Sequence, residues 1–432
     1  MGNEKPNGKG NDGAHRTKVS VMRHLITSLF LFAAASLQAQ NLEEVKKHVG
    51  LLASDDFFGR GYVNDGGNIA AEYLGDAFRD IGAKPIGETY FQEFIFDVNT
   101  YPEKLVVSCN GAELRSGYDF IVNPRSGSAS GDYKVAYLDS THFQSPVSGV
   151  KLGKKMPVVD LTGIDTPAEV SSLHEFKREV LQTKPVVVLN PGKLMWSVGQ
   201  QVSPFAEIEV QKDRFCASSR KIKLEVKNEM RSYRAQNVVG VIPGANRDSC
   251  VVITAHYDHL GMMGDAIFPG ASDNASGTAM MLDLMSRYAS EEPEYDMVFI
   301  AFAGEEAGLV GSKYFVDHPL FDLEKVKMLI NLDLMGSATE GIAVVNGSLY
   351  PGKMKQLAEI NRNGDLVDRI KLRGKAANSD HYWFSEAGVP AVFIYTMGNV
   401  EAYHDVYDLP EGLDWAKYEE VFTLIASFIK LL

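Results

Sequence analysis

From Gln236 to the C-terminus, short apolar runs alternate with longer segments of helical period, and this rhythm constrains the fold most. Val238–Ile242, Val251–Ala255, Met297–Ala303, Met328–Leu332, Ile342–Val345 and Ala391–Tyr395 have the length and apolar continuity of buried strands. Helical patterns lie between them near Ala279–Tyr288, Lys353–Ile360 and Trp383–Ala387, and Tyr418–Leu431 closes the chain. Strands that are apolar on both faces need a helix layer on each. The alternation therefore specifies an α/β domain, a mostly parallel mixed sheet flanked by helices. Two earlier helices belong with it. One carries Val45, Val49, Leu51 and Leu52. The other runs from about Asn68 to Ile81 and is stopped by Gly82.

Residues 101–230 change character. Lys104–Val107, Tyr133–Leu138, Pro157–Leu161, Pro185–Leu189, Glu207–Val210 and Ile222–Val226 are short β-type runs separated by Ser, Gly and Asp turns. No cluster of His, Asp or Glu interrupts them. They read as an inserted β-rich accessory domain between an N-terminal part of the α/β domain (40–100) and its main part (231–432).

Composition narrows the partners. With 43 basic against 56 acidic residues, the 432-residue chain carries a net charge of −13, which argues against nucleic acid as a partner, since binding phosphates needs a basic face. Its three cysteines, Cys109, Cys216 and Cys250, show no C-x-x-C spacing. If two of them bond, the third stays free. Residues 1–39 read as a leader and signal peptide. Arg23-His24 precedes 13 apolar or small residues (Leu25–Leu37), and Ala39 stands before Gln40. A run of this length falls short of the roughly 20 residues of a membrane helix. The expected protein is exported to the periplasm or beyond, with no membrane span after signal removal and an undetermined oligomeric state.

In open α/β sheets, chemistry gathers at the carboxyl ends of strands. Several such ends here carry metal-type ligands in succession. Val251–Ala255 leads into His256-Tyr257-Asp258, where residues i and i+2 of an extended segment share a face. Ser272-Asp273-Asn274-Ala275-Ser276-Gly277 opens a helix. Capping explains one polar residue of that string and leaves the rest. Glu305-Glu306 directly follows an apolar strand, where adjacent carboxylates call for a positive partner. Met328–Leu332 ends in Asp333. Ser379-Asp380-His381 and Tyr403-His404-Asp405 complete the set. Nitrogen and oxygen donors without thiolate suit a catalytic zinc better than a structural one.

Taken together these strings resemble the co-catalytic di-zinc exopeptidases: secreted bacterial aminopeptidases, glutamate carboxypeptidase and the transferrin receptor ectodomain. Ala255-His256-Tyr257-Asp258, Ser272–Gly277, Gly304-Glu305-Glu306, Asn331-Leu332-Asp333 and Tyr403-His404 occur in the family's order, over about 236–432. The accessory segment resembles the protease-associated domain inserted in such enzymes. The resemblance implies two zincs per chain, one on His256 and Asp333 and the other on Glu306 and His404, with Asp273 bridging across a cis Asp273–Asn274 peptide. It implies Asp258 orienting His256, Glu305 as general base, and Asp380 and His381 in supporting roles. Peptides are the implied substrates and N-terminal residues the implied product. The alternatives are a single-zinc glutaminyl cyclase, a carboxypeptidase needing a cationic clamp not evident in the sequence, and a non-catalytic peptidase-like binding protein. After His404 the chain reads Asp405-Val406-Tyr407-Asp408, where many relatives have Ser or Thr and Pro before the Asp.

Overall fold

The computed structural model describes residues 1–3, 42–143 and 150–432; the proposed signal segment lies outside them except for its first three residues. The chain divides into two compact units, Met1–Glu44 and Val45–Leu432. Of the first, only residues 1–3 and 42–44 are described, and everything below concerns the second. No helix among the described residues is long and apolar enough to cross a membrane.

A nine-stranded mixed sheet organises the second unit. At its centre Tyr295–Phe302, Asn246–His256, Val326–Asp333 and Ala391–Met397 lie side by side, all parallel, so their carboxyl ends share one edge. Antiparallel strands flank them: Glu229–Ile242 beside Tyr295–Phe302, and Gly341–Val345 beside Ala391–Met397. The apolar runs read from sequence are buried parts of these strands, which reach one to five residues further, apart from Glu229–Ile242, which begins nine residues before Val238. Gly66–Ile81, Gly277–Ser290 and Tyr418–Ile429 pack with one another over the sheet. Val310–Asp317 and His381–Glu386 cover alternate strand residues such as Val252, Ile300 and Leu329, and the rings of Phe302, Phe315 and Phe384 interlock there. Burial on both faces accounts for the uninterrupted apolar runs.

Strand Phe91–Thr100 was not evident in the periodicity. It pairs antiparallel with Glu229–Ile242, from Phe91 opposite Val238 to Thr100 opposite Glu229. The chain thus leaves for the 101–230 segment and returns from it at adjacent points on one hairpin. Within that segment lies an eight-stranded sheet. Ala129–Leu138, Met156–Asp160, Val186–Asn190 and Glu207–Gln211 run parallel in that order. A parallel pair needs a crossover, and helix Pro167–Val180 supplies one between the second and third of these strands. The strand-only reading of this stretch overlooked it, although Thr166 and Glu169 form a reciprocal capping box with Pro at the first turn. Cys109 and Cys216 are joined in a disulfide, and buried Cys250 is free.

The accessory sheet does not close its core on itself. Its apolar cluster includes Leu260, Met263, Ala266, Phe268 and Val406 from the α/β part, with Trp196 and Phe268 rings 4.7 Å apart. That shared core brings the accessory segment against the carboxyl edge of the main sheet.

Candidate metal centre

Five sequence-predicted residues converge at that edge. His256 and Asp333 end neighbouring central strands, Asp273 sits in the loop before helix Gly277–Ser290, Glu306 follows Phe302, and His404 lies on the loop after Ala391–Met397. His256 Nε2 is 3.3 Å from Asp273 Oδ1 and 3.4 Å from Asp333 Oδ1. His404 Nε2 is 3.1 Å from Asp273 Oδ2 and 3.3 Å from Glu306 Oε2. The two oxygens of Asp273 therefore face two different groups of donors. Donors around a tetrahedral zinc at about 2.0–2.1 Å stand about 3.3 Å apart, which is the spacing found in both groups. The Asp273–Asn274 peptide is cis.

The electrostatics fit cations. Asp258, Asp273, Glu305, Glu306, Asp333, Asp380 and Asp408 crowd one region, with Arg60 as the fixed positive charge beneath them. Burial pushes Glu305 well above the usual carboxylate range, and neighbouring Glu306, Asp380 and Asp333 push it further. Burial likewise raises Asp333, while Asp273 is held well below its ordinary value by hydrogen bonding to His256 and His404 against the opposing effect of burial. Burial disfavours charge on His256 and His404, yet the facing carboxylates raise both, His404 to about 11. Such a cluster is balanced by bound cations or by protons. Glu305 and His259 also come within 4.8 Å of these donors, Glu305 of His256 and Asp333, His259 of Asp273 and Glu306. His259 Nδ1 already contacts Glu306 Oε1 at 2.9 Å, so it serves as that carboxylate's hydrogen-bonding partner and His404 completes the group.

Supporting residues hold these groups in position. Asp258 does so differently from the sequence expectation. Its carboxylate stands 3.9 Å from His256 Nδ1, which meets the Asp258 carbonyl at 3.1 Å. The carboxylate instead accepts from Tyr62 Oη at 3.0 Å and from the backbone N–H groups of Glu305 and Glu306 at 3.1 and 3.4 Å. The turn after the strand carries the side chain past the imidazole and under the neighbouring strand end. Asp333 Oδ2 accepts from Ser379 Oγ at 3.2 Å, and Ser379 in turn accepts from Asn331 Nδ2 at 2.8 Å. Asn331 is two residues before Asp333 on one strand face, a spacing that offers a sequence signal.

Asp380 is fully buried, and desolvation, with Asp258 and Asp333 as like-charged neighbours, raises it to about 7. His381 is not brought into the cluster. It packs against Phe393 with ring centroids 5.5 Å apart, and burial lowers it to about 4. Asp408 accepts the N–H groups of Ser272 and Asp273 at 2.8 and 3.0 Å, fixing the Asp273 loop from below. Gly270, at φ +63°, is required in that loop, since a Cβ would lie 2.5 Å from the His259 ring.

Arg60, Trp196 and Lys193 escaped the sequence reading, as did Tyr62 and His259. Arg60, fully buried, aims its guanidinium at the carbonyls of Tyr257, Leu52, Pro269, Gly270 and Asp273. Trp196, from the accessory segment, donates its backbone N–H to the His404 carbonyl at 2.8 Å, and its own carbonyl meets His404 Nδ1 at 3.1 Å. Lys193 secures the same loop through Asp405 at 2.5 Å and the Glu401 carbonyl. Nothing in a local motif marks these contacts, because the partners are remote in sequence.

The description of peptidase family M28 matches residues 237–429. The chain is 32% identical to aminopeptidase YwaD of Bacillus subtilis over 184 residues, 41% of this chain and 39% of that protein. It is 28% identical over 214 residues to a probable leucine aminopeptidase of Trichophyton verrucosum, covering 46% and 56% of the two chains. These alignments span about two-fifths to just over half the length of those relatives. Among solved structures, a zinc aminopeptidase from Bacillus subtilis superposes with a TM-score of 0.67 at 18% identity, covering 90% of this chain and 94% of the other. An aminopeptidase from Aneurinibacillus sp. strain AM-1 gives 0.61 at 18% identity, over 90% and 92%. The shared fold thus takes in the accessory segment as well as residues 237–429.

Proposed function

We propose that this protein is an exported zinc metallo-aminopeptidase that hydrolyses N-terminal residues from peptides. The observation that carries the reading is Asp273, whose two oxygens face separate donor groups, each spaced as around a tetrahedral ion. His256, Asp273 and Asp333 would hold one zinc, and Asp273, Glu306 and His404 a second. Zinc in such a site lowers the pKa of water and polarises a carbonyl.

The rest of the chemistry falls to the chain's own residues. Glu305 lines the same cavity and takes the proton of the attacking water on its carboxylate, then passes it to the amine leaving the broken peptide bond. Asp258 holds Glu305 and Glu306 through their backbone N–H groups, so base and ligand stay in fixed relation. Export is supported by the leader pattern and by the Cys109–Cys216 disulfide, a bond that persists in oxidising compartments. The 101–230 segment is read as a protease-associated-like domain.

The test is metal content per chain on purified protein, combined with hydrolysis of aminoacyl anilides. Near two zincs and anilide cleavage are expected, with Glu305→Gln abolishing cleavage while metal is retained. One zinc with pyroglutamate formation from an N-terminal glutaminyl peptide would transfer the protein to the cyclase reading. No metal and no turnover after zinc is supplied would overturn the enzyme reading.

A further inference from the structure

Arg373 lines the cavity of about 270 Å³ that also contains His256, Asp273, Glu305, Asp333 and His404. Its backbone is fixed, with the N–H donating to the Val344 carbonyl at 2.8 Å. Its guanidinium Nη1 donates to Tyr395 Oη at 2.9 Å, and Tyr395 lies directly beside Asp333 in parallel register. One tyrosine thus separates the cation from a residue of the metal centre. Among the described residues no carboxylate pairs with Arg373, whereas nearby Lys375 is paired with Glu386. The contrast with Arg60 is informative. That guanidinium spends all its donors on backbone carbonyls and is closed off, while Arg373 is half-buried with a single side-chain hydrogen bond. A planar fork of five donors with most of them unspent is suited to receiving a carboxylate in bidentate fashion.

On the peptidase reading above, we infer that Arg373 receives a carboxylate of the substrate, making this an exopeptidase for anionic peptides. That carboxylate comes either from the side chain of an N-terminal Asp or Glu, or from the free C-terminus of a dipeptide. Both present the same chemistry to the guanidinium. Phe393 and the Tyr395 ring supply the apolar wall along which the intervening methylenes lie.

The experiment uses the full zinc-loaded chain. kcat/KM is measured for glutamyl, glutaminyl, leucyl and lysyl p-nitroanilides, and for leucyl-leucine against its C-terminal amide. L-glutamate and L-glutamine binding is followed by calorimetry, which needs no turnover. A ratio of about tenfold or more is expected for glutamyl over glutaminyl anilide, or for free dipeptide over amide, as for a hydrogen-bonded charge pair. The first result assigns the side-chain carboxylate, the second the terminal one. Arg373→Gln brings the elevated ratio to near one, and Arg373→Glu shifts preference toward the lysyl anilide. If leucyl anilide is cleaved but both ratios stay within about twofold of one, or if the preference survives in Arg373→Gln, the inference is overturned. If nothing is cleaved, the peptidase reading fails. Glutamate binding then decides separately: loss in Arg373→Gln keeps the anion subsite, and equal binding removes it.

Discussion

Replacing Arg60 by lysine tests whether the floor of the centre is built as described. A guanidinium carries five N–H donors and an ammonium three. In this protein all five face carbonyls: Nε to Tyr257 at 2.7 Å, Nη1 to Leu52 and Pro269 at 2.8 and 2.7 Å, Nη2 to Gly270 and Asp273 at 2.7 and 3.4 Å. The Gly270 carbonyl also accepts the Ala275 N–H at 3.2 Å, so Arg60→Lys leaves at least one buried carbonyl without a donor. At about 1–3 kcal/mol for each, the loss is at least about 1–3 kcal/mol. Arg60→Met strands the other four, and the corresponding sum of about 4–12 kcal/mol is comparable to the whole stability of a typical domain. Burial lowers the Arg60 pKa only to about 10, so the group is charged throughout the physiological range and the comparison is free of titration. The assay is urea unfolding of the metal-free protein by circular dichroism. Arg60→Lys should lose stability by the stated amount, and Arg60→Met should fail to accumulate as folded protein. A loss below about 1 kcal/mol for Arg60→Lys would refute the reasoning, because it would mean that the carbonyls find other partners.

Three further outcomes are expected. Ser379→Ala removes the hydroxyl donating to Asp333, and zinc affinity measured by competitive titration should fall about 10-fold or more with the circular dichroism spectrum unchanged. Buried Asp283 accepts from Tyr418 Oη at 3.1 Å, and burial raises it to about 6. A carboxyl raised on folding costs stability as pH climbs from its unfolded value near 4 through about 6, worth about 3 kcal/mol above that range. Asp283→Asn should accordingly raise the melting temperature at pH 7.5 and lose that gain at pH 4; an equal gain at both would exclude the ionisation argument. Cys109→Ser opens a cross-link between residues 107 positions apart and should cost about 2–5 kcal/mol in thermal unfolding.

The α/β core was legible because its central strands are buried on both faces, so Val251–Ala255 and Met328–Leu332 announce themselves as apolar runs. Strand Phe91–Thr100 was harder. Its burial alternates along Gln92–Asp97, and exposed Ile95 disguises the pattern. Helix Pro167–Val180 buries only Leu173, Phe176 and Val180, a stripe too thin to stand out among neighbouring β-type runs. The ligand-type residues other than His404 were visible because they lie at or just after a strand end or before a helix start. Arg60 was not, since its partners lie up to 213 residues away and are backbone atoms that carry no sequence signature. Asp258 illustrates the limit of spacing. Residues i and i+2 do share a face in a strand, but the turn begins at that point and redirects the carboxylate.

The hydrogen bonds between Trp196 and His404 join residues 208 positions apart. On the peptidase reading, a chain emerging from synthesis holds His256, Asp273, Glu306 and Asp333 well before the loop that seats His404 exists. The accessory segment, though made early, has nothing to grip until that loop arrives. Completion of the centre is thereby deferred until the loop carrying His404 is made, and a product truncated before it stays inert. The order of the elements along the chain thus acts as a built-in delay.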